Sequence, residues 1–367
     1  MDVLVISKMV EDERSGHLIE DERFYYKFLL GRSRDFDFYV SRFSRKYFHH
    51  QYPGNRARIF SLEKYDSSFF SSVRLCFSLR RLAQNEQVVF FGYTEPFILV
   101  FLALNFFKNP KLTLIATNNF SAGRCLRKTF AMRAAYSVLK WWIECLIVHT
   151  DREILHARRL VRARKIKIVS KKHHLLTPRV RPTTRPKANE LTISFFGPSK
   201  IEKPVEPLID LILADECNFF SYNLFNAGID VSGALMQQLL GKSNVKIFNG
   251  WLSKEEYEQA VVDSSLIFLT HTRSFEGKLS GNLCDCLSFS IPFVSLPIEP
   301  VLEFQSRYGD LGFLVNFSEK NWPISFLEMN FRDRIELFHR NLYDLKTDYS
   351  HNKVLQSLSE SLAHLLE

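Results

Sequence analysis

The chain has 367 residues, 46% of them hydrophobic and 24% charged, and its formal net charge is +9. A chain of this length can form two domains, and this balance of apolar and charged residues excludes an intrinsically disordered protein. The longest apolar stretch, residues 88–107, is split by Gly92 and Pro96 into runs shorter than the roughly 20 residues that a membrane helix needs, so we expect no membrane-spanning helix.

The six cysteines are scattered, which predicts neither a disulfide framework nor a zinc site. The one close pair, Cys284 and Cys286, has no second pair beside it, whereas a structural zinc ion needs about four grouped ligands. We therefore expect reduced core cysteines in a cytoplasmic protein. Residues 1–7 enter a strand directly and do not have the pattern of a signal peptide, which agrees with this expectation.

Apolar runs that alternate with helical patterns predict strands of parallel sheets. In the first half of the chain these runs are 2–6, 36–40, 88–91, 112–116 and 145–149. In the second half they are 191–196, 217–220, 245–248, 265–270 and 293–296. A helix is predicted to begin at Pro96, because proline is favoured in the first turn of a helix.

We predict an α/β protein with two Rossmann-like domains, residues 1–176 and 190–345, facing each other across a cleft. Residues 177–189 contain three prolines and almost no apolar side chain, which is typical of a linker. The chain is expected to end in a helical stretch, with residues 346–367 as the C-terminal helix.

Basic residues are concentrated between Arg124 and Lys187, where 18 Lys and Arg residues stand against three acidic residues. Around residues 127–142 they alternate with aromatic side chains. This pattern suits a helix on an anionic membrane surface, and it also suits nucleic acid or an ordinary half-buried helix with a solvated basic face.

Residues 265–296 predict a strand, a glycine-containing loop, a helix and a second strand. The helix, predicted at 282–289, would carry Asp285 and stop before Pro292, and its first N–H groups would point at any anion in the loop. Lys278 and Ser280 precede the helix, and with Arg273 they are candidates for holding such an anion without metal.

Three segments, taken in order, resemble the two-Rossmann (GT-B) glycosyltransferases, especially bacterial enzymes of surface-polysaccharide synthesis with a family 4-type donor domain. Residues 192–200 look like the opening strand and loop of the donor domain. Residues 245–257 look like the strand, glycine and short acidic helix whose backbone lines the nucleobase pocket. Residues 276–297 look like the loop and helix that bind the donor sugar and phosphate.

This resemblance implies a metal-independent, hexosyltransferase-like enzyme that uses no cofactor. It would move a sugar from a nucleotide-sugar donor to a glycan or lipid-linked glycan acceptor in the synthesis of O-antigen, capsule or lipopolysaccharide. The donor-binding residues it implies are Gly197, Ser199, Lys200, Gly250, Trp251, Leu252, Arg273, Lys278, Ser280, Gly281, Asn282 and Asp285. The expected location is cytoplasmic, at the inner face of the membrane, with an anionic lipid surface and no nucleic acid as partner.

The chain departs from the family pattern at two points. Retaining members carry two glutamates eight positions apart, but here Asp285 stands at the second position and Gly277 at the first, with Glu276 next to it. Ser290 replaces the usual glycine before Ile291 and Pro292. Retaining chemistry therefore does not carry over directly.

The first half is expected to bind the acceptor. An inverting transfer needs one general base, and Glu11, Asp12 and His17 follow the first strand at the end where such sheets place ligands. Glu276 is a fourth catalytic candidate. Asn118 and Asn119 are candidates for binding acceptor hydroxyls, although an ordinary turn explains them as well. Thr150 and Asp151, after another strand, are better explained as helix caps.

Two functions of other classes remain open at this stage. A sugar-nucleotide epimerase shares the two-Rossmann architecture and would convert a free sugar nucleotide without an acceptor. A non-catalytic nucleic-acid-binding protein would use the basic segment and would bind with strong salt dependence.

Overall fold

The structure is a computed structural model. It describes residues 3–7, 16–30, 36–41, 45, 48, 57–62, 76–77, 87–105, 109–116, 120, 122–161, 165–171, 191–197, 201, 203–225, 238–239, 241–276 and 279–366. The chain forms two compact units, Met1–His173 with Asn352–Glu367 and His174–His351. The predicted linker 177–189 lies outside the described residues.

The first unit is built on a parallel sheet in which seven strands are described, in the order β3-β2-β1-β4-β5-β6-β7. The strands are β1 Val3–Ser7, β2 Phe36–Ser41, β3 Ala57–Leu62, β4 Gln87–Phe91, β5 Lys111–Ile115, β6 Ile143–Val148 and β7 Lys167–Ser170. Between these strands lie the helices α1 Gly16–Leu30, α2 Glu95–Leu104, α3 Ala122–Leu139 and α4 Asp151–Val161.

The second unit repeats the arrangement with six described strands, in the order β10-β9-β8-β11-β12-β13, again all parallel. The strands are β8 Leu191–Phe196, β9 Phe220–Phe225, β10 Val245–Phe248, β11 Leu266–Leu269, β12 Phe293–Ser295 and β13 Gly312–Leu314. The helices are α5 Glu206–Ala214, α6 Lys254–Val262, α7 Gly281–Phe289, α8 Val301–Tyr308, α9 Trp322–Leu327 and α10 Phe331–Asp348, and Arg273–Phe275 forms a 3₁₀ turn.

Both sheets have the strand order of a Rossmann fold, in which the first strand of the unit lies next to the fourth. This confirms the predicted α/β fold class with two Rossmann-like domains. The last helix, α11 His351–Leu366, belongs mainly to the first unit, where Val354 and Leu358 join the core under the sheet.

A buried ion pair holds α1 against the sheet of the first unit. Lys171 directly follows β7 and is fully buried, and its Nζ lies 2.9 Å from Oδ1 of Asp21 in α1. The same ammonium group lies 4.2 Å from the ring centroid of Phe24 and 4.5 Å from that of Tyr25. A buried charge needs a partner of this kind, because removal of one member leaves the other uncompensated.

The strand predicted at 217–220 is wrong, because the strand runs from Phe220 to Phe225. The carboxylate of Asp215 accepts the backbone N–H groups of Phe219 at 2.8 Å and of Phe220 at 3.0 Å, and Asn218 has a φ of 53°. These contacts hold residues 215–219 in a turn, so the strand begins only at Phe220. Strands β3, β7 and β13 were not predicted from the sequence.

The predicted start of α2 is confirmed, since Pro96 occupies its first turn. The expectation that the cysteines are core residues holds for Cys76, Cys145, Cys284 and Cys286, which are buried. It is wrong for Cys217, which is exposed because it lies in the turn before β9.

Ser290 ends α7 in the left-handed conformation, with φ 58° and ψ 39°. Residues with a side chain pay about 1 kcal/mol or more in this region, whereas glycine does not. We therefore expect Ser290→Gly to stabilise the protein by roughly 0.5–1 kcal/mol, after allowance for the greater entropy of glycine in the unfolded chain. The gain would appear as a higher melting temperature.

Asn218→Gly is the matched control, because Asn218 is also left-handed but asparagine tolerates that conformation. A larger gain from Asn218→Gly than from Ser290→Gly would contradict the prediction.

Candidate functional site

The strand order of the second sheet reverses between β8 and β11, and this is where open α/β sheets bind ligands. The two strands pair in parallel, with Leu266 opposite Ile193 and Ile267 opposite Ser194, and Thr270 and Gly197 directly follow their carboxyl ends. Helices α5 and α7 pack on different faces of the sheet, because their buried residues belong to two separate cores. The chain segments after β8 and β11 therefore diverge and leave a crevice, which we call the switch point.

Helix α7 begins at the switch point and is tied to β8. Ser280 is its N-cap, and the Ser280 hydroxyl oxygen accepts the backbone N–H of Leu283 at 3.1 Å. Nδ2 of Asn282 donates to the carbonyl oxygen of Phe196, the last residue of β8, at 2.7 Å. The N–H groups of the first helical turn are thus placed beside the end of β8, in a geometry that favours an anion.

Aromatic rings form a ladder along the carboxyl ends of β8, β9 and β10. The rings of Phe196 and Phe225 are stacked with centroids 4.9 Å apart, and those of Phe225 and Phe248 with centroids 4.5 Å apart. The ladder ends at Phe248, which is 39% exposed, and nearby Trp251 is 61% exposed. A flat ring has apolar surface available beside these two side chains.

Gly250 lies between the exposed aromatic residues and has a φ of 102°. A Cβ atom built on Gly250 would meet no heavy atom within 4 Å, so the space in front of this backbone is open. Glycine is suited to this position because a residue with a side chain would be strained at this φ.

Thr270 and His271, directly after β11, are buried polar residues. Oγ1 of Thr270 and Nε2 of His271 have no hydrogen-bond partner among the described residues. Burial, with the charge of Lys203 nearby, lowers the pKa of His271 to about 3, so the imidazole is neutral at physiological pH. The His271 ring lies 4.4 Å from the ring of Phe275, and Nζ of Lys203 lies 5.1 Å from that ring.

Asp285 lies on α7 and is linked to α6. The hydroxyl of Tyr257 donates to Oδ2 of Asp285 at 2.6 Å. Burial raises the pKa of Asp285 to about 6, although the hydrogen bond from Tyr257 and the charges of Lys203 and Lys254 act in the opposite direction. Asp285 therefore carries a proton more readily than an ordinary carboxylate, and one of its oxygens is already engaged.

The structure brings part of the predicted donor-binding set together. Gly197, Ser280, Gly281 and Asn282 meet at the switch point, while Gly250, Trp251 and Leu252 follow β10 beside the aromatic ladder. Asp285 lies one helical turn into α7. Arg273 is exposed in the 3₁₀ turn, and Glu276 follows that turn and is half-buried.

Other predicted site residues lie outside the described residues, and their roles stay predictions. They are Glu11, Asp12, Asn118, Asn119, Ser199, Lys200 and Lys278. His17 belongs to α1, but its side chain is not described.

Sequence reasoning missed four residues of this region, namely Lys203, Tyr257, Thr270 and His271. Two polar residues at the end of an otherwise apolar strand are a signal for Thr270 and His271. Lys203 and Tyr257 give no comparable signal, because their proximity to His271 and Asp285 arises from packing between elements far apart in the sequence.

In the first unit, Thr150 caps α4 as predicted, since its Oγ1 accepts the backbone N–H of Glu153 at 3.1 Å. Oε2 of Glu153 accepts the backbone N–H of His149 at 2.9 Å. Burial raises the pKa of Glu153 to about 7, against these backbone hydrogen bonds. The Glu153 carboxylate therefore stabilises the start of α4.

The described residues include neither a cluster suited to a metal ion nor a helix suited to span a membrane. In that part of the chain, no group of three or more His, Cys, Asp or Glu side chains is placed to hold a metal ion. No helix there combines the length and the apolar character needed to cross a membrane.

Solved glycosyltransferases resemble this chain along its whole length. HepE from Anabaena, solved with UDP and glucose, shares 14% identity and a TM-score of 0.69 over 99% of this chain and 100% of its own. A glycosyltransferase from Rickettsia africae shares 12% identity and a TM-score of 0.67 over 99% of this chain and 98% of its own. The lipopolysaccharide outer core galactosyltransferase WaaB shares 12% identity and a TM-score of 0.67 over 100% of both chains.

No protein-family model and no curated protein matches the chain by sequence. At the identities of the solved structures, the likeness shows the fold, and it confirms the two-Rossmann GT-B fold predicted from the sequence resemblance.

The raised pKa of Asp285 predicts a pH dependence of stability. The pKa is about 6 in the folded protein and roughly 3.9 in an unfolded chain, so between these values the folded state holds the proton more tightly. Asp285 therefore contributes stability at low pH that is lost as the pH rises through 6. We therefore compare melting temperatures of the wild type and Asp285→Asn as the pH rises. Between the unfolded pKa of roughly 3.9 and the folded pKa of about 6, the melting temperature of the wild type should fall relative to that of Asp285→Asn.

Tyr257→Phe removes the hydrogen bond that lowers the pKa of Asp285, so in this variant the loss should extend to higher pH. A parallel pH profile for the wild type and Asp285→Asn would contradict the prediction.

Proposed function

We propose that this protein is a glycosyltransferase that moves a sugar from a nucleotide-sugar donor to a glycan or lipid-linked glycan acceptor in bacterial O-antigen, capsule or lipopolysaccharide synthesis. The observation that carries the proposal is the switch point of the second unit, where the start of α7, Lys203 and His271 converge. The shared fold of HepE, which was solved with UDP and glucose, and of the galactosyltransferase WaaB supports it.

In this proposal, the diphosphate of the donor binds at the start of α7. The N–H groups of the first turn and the charge of Lys203 offset its negative charge, and this arrangement supports binding without a metal ion or cofactor. Lys203 acts on both His271 and Asp285 electrostatically, which puts its charge near the helix start.

The nucleobase is placed in the open space in front of Gly250. The backbone of Gly250 can approach a flat ring closely, and Phe248 and Trp251 offer apolar surface beside it. The second oxygen of Asp285 is a candidate acceptor for a ribose or sugar hydroxyl, while Tyr257 holds the first.

In the transfer step, the bond between the anomeric carbon and the diphosphate oxygen breaks, and a bond to the acceptor oxygen forms. The leaving diphosphate carries the negative charge that develops, which the start of α7 and Lys203 stabilise. A general base takes the acceptor proton, and Glu11, Asp12, His17 and Glu276 are the candidates we propose. Asn118 and Asn119 are proposed to bind acceptor hydroxyls.

Binding of a nucleoside diphosphate tests the donor site. We expect at least one of the nucleoside diphosphates UDP, GDP and dTDP to raise the melting temperature in the presence of EDTA, and a ligand at about 100 times its Kd adds roughly 2.7 kcal/mol. Lys203→Gln should weaken the effect because it removes a charge from the site. Lys246→Gln, which removes an exposed charge from β10, is the matched control and should leave binding unchanged.

Gly250→Val should also weaken binding, because its side chain would fill the open space. Because valine is strained at the φ of 102°, the melting temperature of the unliganded variant is measured alongside, and the result counts only for a folded protein. The absence of stabilisation by all of these nucleotides in the wild type would refute the donor site. Conversion of a free sugar nucleotide without an acceptor would favour the epimerase instead.

We further propose that the first unit binds an anionic membrane at the inner face of the cell membrane. Helix α3, the turn that follows it and α4 expose Phe130 (87%), Val138 (47%), Trp141 (77%) and Leu155 (55%). Exposed basic residues lie among them, namely Arg133, Arg158 and Arg159. Nζ of Lys140 lies 5.5 Å from the Trp141 ring centroid.

Of the two adjacent tryptophans, Trp141 is the residue suited to insertion, because Trp142 packs partly against the core. The basic side chains would contribute about 1 kcal/mol each near anionic lipid, and the aromatic rings would enter the interface. A lipid-linked acceptor would be reached from such a position.

Co-sedimentation with vesicles tests the membrane proposal. The protein should pellet with anionic vesicles and remain in solution with neutral ones, since the attraction is electrostatic and is screened by salt. Replacing Arg133, Lys140, Arg158 and Arg159 by Gln should release it. The matched control replaces four exposed basic residues of the second unit, Lys246, Lys320, Arg332 and Arg340.

Equal pelleting of the wild type and the variant with Gln at positions 133, 140, 158 and 159 would contradict the membrane proposal. Trp141→Ser should weaken binding to anionic vesicles as well, because the indole ring no longer enters the interface. UDP binding should be the same in all these variants, because none of the replaced residues lies at the switch point.

A further inference from the structure

The buried polar side chains at the two ends of β11 differ in their hydrogen bonding. At the amino end, Ser264 donates to the hydroxyl of Ser194 at 2.7 Å, and the hydroxyl of Ser265 accepts the backbone N–H of Thr192 at 3.0 Å. At the carboxyl end, Thr270 and His271 are only 3% exposed, and Oγ1 and Nε2 have no partner among the described residues. Buried polar groups in proteins are normally hydrogen-bonded, so the carboxyl end requires an explanation.

The unpaired groups lie where a ligand is expected from topology alone. Thr270 directly follows β11, Gly197 directly follows the parallel neighbour β8, and His271 is the next residue at the switch point. On the β8 side the neighbouring position is a glycine and offers no side chain. The N-terminus of α7, held by the contact from Asn282 to Phe196, lies at the same crevice.

The His271 ring is held in place by packing, independently of any hydrogen bond from Nε2. It lies against Phe275, and Lys203 contacts the same phenylalanine ring through its ammonium group. Burial and Lys203 keep the pKa of His271 low, so the ring carries one N–H and no charge. A neutral imidazole can donate its one N–H to an anion without taking up a second proton, and the positive charge of Lys203 lies nearby.

We propose that Thr270 and His271 are diphosphate-binding residues, which donate the hydroxyl of Thr270 and the Nε2–H of His271 to oxygens of the donor diphosphate. This inference rests on the proposed function and adds two binding residues to it. It accounts for two buried polar atoms that have no hydrogen-bond partner among the described residues, because each gains a partner when a diphosphate is bound.

The test compares binding of UDP, or of the panel nucleotide that stabilises the wild type most, with binding of its free nucleoside. His271→Phe keeps a ring against Phe275 but has no nitrogen, and Thr270→Val keeps the shape but has no hydroxyl. We expect each variant to bind the diphosphate at least about tenfold more weakly, the loss of a hydrogen bond to a charged group. Titration calorimetry for the diphosphate and ligand-detected NMR for the nucleoside measure the two affinities.

Conservative variants are the matched controls. His271→Gln places an amide N–H near the position of Nε2, and Thr270→Ser keeps the hydroxyl, so both should retain diphosphate affinity within about threefold of the wild type. The unliganded His271→Phe and Thr270→Val proteins should melt at the same temperature as the wild type or higher, because an unpaired buried polar atom has been removed.

The outcomes separate this inference from the proposed function. Weaker diphosphate binding with unchanged nucleoside binding and unchanged melting supports it. Wild-type diphosphate affinity in His271→Phe and Thr270→Val overturns it and leaves the proposed function standing. An equal loss of nucleoside and diphosphate affinity together with a lower melting temperature also overturns it, since the residues would then be structural. A wild type that binds no nucleotide of the panel overturns both.

Discussion

The reversal of strand order between β8 and β11 is the constraint on which the candidate site depends. Parallel strands place their carboxyl ends at one edge of the sheet, and the reversal sends the following helices to opposite faces. Thr270, directly after β11, therefore lies at the same sheet edge as Gly197, directly after β8, although the two residues are far apart in the sequence. Without that reversal, α7 would not begin beside the end of β8.

Side-chain contacts make this crevice a defined site. Asn282 fastens the start of α7 to β8, while Tyr257 connects α6 to Asp285 further along the same helix. The stacked rings of Phe196 and Phe225 pack under the carboxyl ends of their strands and lead to the exposed ring of Phe248. The helix start and the aromatic surface are thus held by the same sheet edge.

Burial determines the protonation states of the titratable side chains in the site. Lys203 supplies a positive charge, while burial keeps His271 neutral and lets Asp285 hold a proton up to a pKa of about 6. An anion at the start of α7 would then meet fixed N–H donors and one nearby cation. This suits a diphosphate, whose charge must be offset both when it is bound and when it leaves.

The sequence by itself determined the fold class, most strands and the helix caps, because these depend on local patterns. Apolar runs predicted β11 and β12, and Thr150 was recognised as a cap from its position before α4. Three kinds of feature required the tertiary structure. The start of β9 depended on side-chain contacts from Asp215, and the roles of Lys203 and Tyr257 depended on neighbours distant in sequence. The unpaired state of Thr270 and His271 also emerged only from packing, because burial and hydrogen-bond partners are set by what the folded chain brings together.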